Sequence, residues 1–97
     1  MNMRVMATIW IVVIGDDGSV TGDRDLETTF HISRDLAAQW AAAQLPVHQS
    51  EQTEYVYAML NEQTFSDEDD CWITTARAQA DHMDGHTMLT CDWHSLV

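Results

Sequence analysis

The chain has 97 residues, which is enough for a single domain spanning 1–97 but not for two domains. Its 16 Asp and Glu face only four Arg and no Lys, which gives a formal net charge of −12. Without a cluster of cations, the protein is not expected to bind nucleic acid directly or to adsorb to an anionic membrane. Apolar residues make up 45% of the chain, a fraction typical of folded proteins.

Residues 4–14 predict a central β-strand, because they are apolar and β-branched with no helical period. Trp10 and Val12 would share one face, and Ile9 and Ile11 the other. Since both faces are apolar, we expect a helix, another protomer or a target to cover the second face. The apolar run is too short to span a bilayer, and no cleavage site of small residues follows it. We therefore interpret it as a buried strand of a soluble protein. Because the chain has only two cysteines, Cys71 and Cys91, and shows no export signal, we expect reduced thiols in a cytoplasm.

Turn residues at 15–19 (GDDGS) and a break at Gly22 separate this strand from the next. Residues 26–32 alternate, with Leu26 and Phe30 on one face, and predict a half-exposed strand. Ser33 is a candidate N-cap for an Ala-rich helix that Pro46 would end. Its expected apolar stripe consists of Leu36, Trp40 and Ala43.

Two further helices are predicted in the second half of the chain. Ser50 is a candidate cap for the first, which would place Tyr55, Val56, Met59 and Leu60 on one stripe, although residues 54–62 could also form a buried strand. The second helix spans 66–83. Its cap would be Ser66, and carboxylates of its first turn would meet the positive end of the helix dipole. One or two acids suffice for that role, so the four at 67–70 call for a further explanation.

Residues 87–94 alternate and predict a last strand, with Leu89, Cys91 and Trp93 on one face. The predicted order is therefore β-β-α-α-α-β. The corresponding fold class is α+β, with a small antiparallel sheet of about three strands and two to three helices packed on one face. All four Trp are assigned to packing in the core.

The C-terminal segment contains a spacing that resembles a zinc site, formed by His82, His86, Cys91 and His94. On a regular strand, however, residues 91 and 94 face opposite sides and cannot share a metal. The same reasoning separates Cys91 from a base at His94, and an activated thiol also requires cationic surroundings. We therefore predict no metal, no cofactor and no catalytic residue. A small zinc- or thiol-dependent protein remains the least favoured alternative.

The charge pattern is the feature that points to a function. Eight carboxylates are candidate partner-binding residues, and they lie in two groups: Asp16, Asp17, Asp23 and Asp25, and then Asp67, Glu68, Asp69 and Asp70. Such a surface steers basic partners toward it and repels nucleic acid. An acidic surface that serves only solubility is the alternative interpretation.

In size, single-domain character and acidity, the chain resembles the small acidic proteins that phages use against bacterial defence, including anti-CRISPR and anti-restriction proteins that mimic DNA. This resemblance implies an inhibitor, acting in the cytoplasm of a bacterial host, that occupies a basic nucleic-acid-binding surface of a target protein. It assigns no role to any individual residue. A second hypothesis is an acidic homodimeric binding module that pairs through the spare face of strand 4–14; such a dimer should be nearly insensitive to salt.

Overall fold

The computed structural model describes residues 2–49, 54–83 and 85–97. In these residues, one helix crosses one face of a single antiparallel sheet in the strand order β2-β1-β3-β4-β5. The elements are β1 (Met3–Ile14), β2 (Val20–His31), α1 (Arg34–His48), β3 (Glu54–Ser66), β4 (Cys71–Met83) and β5 (His86–Ser95). The predicted fold class, with about three strands and two to three helices, is therefore wrong: the protein is mostly sheet.

The core lies between α1 and the sheet face that it covers, which we call the helix face. Ala37, Ala41 and Leu45, four residues apart on α1, are fully buried there. Alternate residues of the central strands meet them: Val5, Ala7, Ile9 and Ile11 from β1, Val56, Ala58 and Leu60 from β3, and Ala78 and Ala80 from β4. The small Ala side chains allow the helix to approach the sheet closely. The opposite side of the sheet, which α1 does not cover, is the open face.

The start of α1 is confirmed, because the Ser33 hydroxyl accepts a hydrogen bond from the backbone N–H of Leu36 at 3.2 Å. The predicted end is wrong by two residues: the helix continues through Pro46 to His48. The predicted apolar stripe is confirmed for Trp40, which packs against the core, but wrong for Ala43, which is exposed, and for Leu36, which is 42% exposed; Leu45 is fully buried instead.

The segment for which a second helix or a buried strand was predicted is strand β3, so the strand alternative is confirmed and the helix is wrong. Its predicted cap, Ser50, lies outside the described residues. Val56, Ala58 and Leu60 are buried on the helix face, and the odd-numbered residues between them point to the open face. Both faces of this central strand are rich in apolar residues. A strand of that kind has no polar alternation, so its sequence also satisfies a helical stripe.

The segment predicted as the third helix is strand β4, and residues 67–70 form the turn that joins it to β3. The spacing of four between Ala76 and Ala80, taken as a helical signal, also fits a strand, because four is a multiple of the two-residue period. Ala78 lies between them and is fully buried on the same face. Gly85 ends no helix; it lies in the β4–β5 turn with φ of +81°.

Three predicted strands are confirmed, although their surroundings differ in part from expectation. β1 is central, hydrogen-bonded to β2 on one side and β3 on the other. β2 begins six residues earlier than predicted, at Val20, and β5 matches its prediction to within one residue. α1 covers the helix face of β1, and no described element covers the open face, so the expectation that another protomer or a target covers this second face stays a prediction. Of the four Trp, Trp40 and Trp93 pack against the core, whereas Trp10 and Trp72 lie on the open face.

Candidate functional site

The β3–β4 turn concentrates four exposed carboxylates in four consecutive residues, 67–70. The hydroxyl of Ser66 accepts a hydrogen bond from the backbone N–H of Asp69 at 3.2 Å and donates one to the Asp69 carboxylate at 3.3 Å. Asp70 adopts φ of +53°, the left-handed region that Asp tolerates better than most residues. The cap-like bond predicted for Ser66 therefore forms, but it closes a hairpin turn and does not begin a helix.

The β1–β2 turn is acidic as well, and one of its carboxylates also holds the backbone. Asp17 accepts hydrogen bonds from the hydroxyl of Ser19 at 2.6 Å and from the backbone N–H of Ser19 at 3.0 Å. These bonds, the hydroxyl first, lower the pKa of the Asp17 carboxyl. In each acidic turn, one carboxylate fixes the conformation. Within the described residues, Asp16, Asp67, Glu68 and Asp70 make no side-chain hydrogen bond or ion pair, so they remain available to a partner.

The structure does not bring the two predicted groups of acids together. Because β1 and β3 are antiparallel and Met3 pairs with Thr64, the β1–β2 and β3–β4 turns lie at opposite ends of the sheet. Twelve residues of strand separate them by roughly 40 Å. Asp23 and Asp25 pair with Val12 and Trp10, so they lie on the open face near the β1–β2 end. The eight residues therefore form two separate acidic surfaces.

Three of the four arginines make contacts that do not involve the predicted acids. Within the described residues, the one ion pair joins Arg34 to Glu62 through two bonds of 2.8 Å. These bonds lower the pKa of the Glu62 carboxyl. The Arg4 guanidinium lies 4.3 Å from the ring centroid of Phe30 and 4.1 Å from that of Trp72 and bonds an amide, and Arg77 also bonds an amide. Cation–amide and cation–ring contacts thus occupy charges that could have paired with carboxylates.

The open face is the main feature that the sequence interpretation did not identify. Large apolar and aromatic side chains cover much of it, including Met6, Trp10, Phe30, Tyr55, Tyr57, Met59, Phe65 and Trp72. Polar side chains lie buried among them: Thr8, Asn61, Gln63 and Asp81 are at most 8% exposed. All four have hydrogen-bond partners, such as Arg77 Nε to the Asn61 carbonyl oxygen at 2.6 Å. The face is therefore an aromatic surface with an ordered polar network.

Charge is distributed unevenly along the open face. Arg4 and Arg77 lie in the half nearest the β3–β4 turn, whereas Asp23, Asp25 and Asp81 lie in the other half. The pKa of Tyr55 is raised mainly by burial and secondly by a hydrogen bond with Asp81. The pKa of Tyr57 is also raised mainly by burial and secondly by the negative charges of Asp23 and Asp81. These tyrosines therefore remain neutral hydrogen-bonding groups beside the carboxylates.

The strand argument that separated Cys91 from His94 is wrong, because irregular pairing of β5 with β4 places them 3.5 Å apart, from Sγ to Nδ1. The same Nδ1 lies 3.1 Å from the carbonyl oxygen of Asp92, which can only accept a hydrogen. In the tautomer that donates from this nitrogen to that carbonyl oxygen, the nitrogen already carries a proton and is not a base for the thiol. Among the described residues, no three His, Cys, Asp or Glu side chains are grouped so as to hold a metal.

A surface pocket of about 330 Å³ lies where the N-terminus of α1 meets β4 and β5. Its lining includes the Arg34–Glu62 pair and Trp93, whose ring centroid is 4.6 Å from the Arg34 guanidinium. Arg34 and Glu62 pair with each other, so neither offers an unpaired charge to a small ligand. No described helix has the length and apolar character needed to cross a membrane.

Comparison with protein-family models, with curated proteins and with solved structures finds no match to this chain. Its chemistry must therefore be inferred from its own surfaces. The acidic turns provide fixed negative charge, and the open face provides aromatic area with a polar network. Both are means of recognition, one electrostatic and one based on contact area.

Proposed function

We propose that this protein binds a basic nucleic-acid-binding protein and acts as an inhibitor or decoy of the anti-CRISPR or anti-restriction type. In this proposal, its carboxylates occupy positions where the target would otherwise hold phosphates. The observation that carries the proposal is the unpaired state of those carboxylates. Three of the four arginines contact rings, amides or a single glutamate, and none pairs with an acid of either turn.

The charge density limits the form that such mimicry takes. The molecule is 48 Å long and carries a net charge of −12. That is one net charge per about 4 Å, whereas B-DNA carries one per about 1.7 Å. The protein therefore does not reproduce a duplex uniformly. It would instead fill a few phosphate positions with its most concentrated charge, the turn at 67–70.

The test uses immobilised protein, bacterial lysate at low and high salt, and a pair of matched variants. Asp67→Asn with Glu68→Gln removes two charges from the β3–β4 turn and leaves the Ser66–Asp69 hydrogen bonds intact. Glu27→Gln with Asp92→Asn removes two exposed charges elsewhere. The turn variant should associate with the captured partner several-fold more slowly than the control, and the wild-type association rate should fall as salt rises.

Two results would contradict the proposal. One is equal association rates for the two variants, which would assign the effect to net charge and not to the turn. The other is a captured partner that has no basic nucleic-acid-binding surface. Circular dichroism of both variants shows whether folding is preserved, which we expect because all four substituted side chains are exposed.

A further inference from the structure

We infer that the open face binds a second copy of this chain, with the two sheets packed face to face about a twofold axis perpendicular to the strands. This inference does not rest on the proposed function. It begins from an anomaly: the uncovered face of an antiparallel sheet is usually polar, but here it bears Trp10, Tyr57, Met59 and Trp72.

Charge complementarity identifies the second copy as the occupant. The open face is cationic in one half and anionic in the other, with the row Thr8, Met59, Gln79 between them. A twofold axis along this row reverses the strand direction, so each cationic half lies over the anionic half of the other copy. Arg77 and Asp81 lie two residues on either side of Gln79 on β4, so each exposed Arg77 lies over the anionic half of the second copy. Asp81 is only 3% exposed, so it adds negative charge to that half without forming a direct ion pair. This overlap of cationic and anionic halves is the self-complementarity that an isologous interface requires.

The pairing of β1 with its counterpart follows the same symmetry. Arg4 and Val12 are equally distant from Thr8, and Asp23 is the neighbour of Val12 on β2. The Arg4 of one copy therefore lies near the Asp23 of the other. An axis parallel to the strands would instead place each cationic half over another cationic half, an arrangement disfavoured by like-charge repulsion.

The area of the face suits a stable dimer. Five strands spaced by about 4.8 Å, each about 12 residues long, give a face of roughly 20 Å by 40 Å, or about 800 Å². A standard protein–protein interface buries about 800 Å² on each partner. Both acidic turns lie beyond the ends of this face, so the dimer leaves them exposed. It also brings the β1–β2 turn of one copy to the same end as the β3–β4 turn of the other.

The two cysteines provide an internal probe of this geometry, because both are free and exposed. Cys91 pairs with Gln79 and therefore lies in the central row, next to the Cys91 of the second copy across the axis. Cys71 begins β4 at one end of the sheet, so the axis moves its counterpart to the opposite end. A short bismaleimide should crosslink the wild type and Cys71→Ser as dimers. It should give no dimer with Cys91→Ser.

Sedimentation equilibrium with three further variants completes the test. Met59→Lys places two like charges against each other at the axis, and Arg77→Glu removes an exposed cation from the interface. Each should raise the dimer dissociation constant by at least about tenfold, whereas Val47→Lys, on the exposed side of α1, should not change it. If Met59→Lys does not fold, Arg77→Glu carries the test. A monomeric wild type, or a dimer that survives Met59→Lys or crosslinks equally well as Cys91→Ser, would overturn the inference.

Discussion

Leu45 is the one large side chain among the three fully buried residues of α1, so its truncation should weaken the attachment of the helix to the sheet. Leu45→Ala removes three carbon groups, worth about 2.4 kcal/mol of lost burial at ~0.8 kcal/mol each. The cavity left behind raises the expected loss to about 3–4 kcal/mol. For 97 residues the total free energy of unfolding is expected to be about 5–15 kcal/mol, so the effect should be large.

Leu36→Ala is the matched control, because it makes the same chemical change on the same helix. Leu36 is 42% exposed, so its truncation should cost only about 1 kcal/mol and leave no enclosed cavity. Urea unfolding followed by Trp fluorescence measures both losses, and the denaturant slope should be the same for both variants. If Leu36→Ala lowered the free energy of unfolding as much as Leu45→Ala or more, the reasoning would be refuted. Leu36 would then lie on the buried side of the helix, as the sequence predicted.

Two further predictions concern pH. The Arg34 hydrogen bonds lower the pKa of Glu62 from its ordinary 4.5. The stability that this pair contributes is therefore present above pH 4.5 and is lost as pH falls through the lowered pKa of the folded state. Acid unfolding of Glu62→Gln should lack this loss of stability. Burial and Asp81 raise the pKa of Tyr55 above 10.0, so the folded state retains the phenol proton and loses stability as pH rises beyond 10. Ultraviolet titration should show this phenol ionising later in the native protein than in urea, and coincident titration curves would contradict its burial.

The sequence correctly predicted the elements whose residue patterns fit only one type of secondary structure. β1 follows from a β-branched apolar run, and the start of α1 follows from Ser33. It left β3 undecided between helix and strand, because a strand that is apolar on both faces has no polar alternation to distinguish it from a helix. It failed for β4, where Ala76 and Ala80, four residues apart, fit a helix as well as a strand. Ser66 followed by acids satisfies a helix start and a hairpin turn equally well. Only the pairing of β3 with β4, a long-range interaction, decides between them.

The candidate site was predictable to a similar extent. The carboxylates at 67–70 were recognised as a candidate site from their residue type, although their context was predicted as a helix start; the structure places them, exposed, in a hairpin turn. Whether the two acidic groups converge depends on strand order and direction, which local patterns do not encode. The two charged halves of the open face depend on the pairing register as well. The register also explains the contact of Cys91 with His94, which a regular strand would forbid.

The central claim is that the carboxylates of this protein take the place of phosphates on a basic partner. The most direct measurement is nucleic-acid binding by the captured partner, titrated with this protein in a gel-shift or anisotropy assay. The account predicts that the wild type displaces the nucleic acid competitively and that Asp67→Asn with Glu68→Gln does so at higher concentration. A stable ternary complex, in which partner, nucleic acid and this protein bind together without loss of affinity, would contradict it.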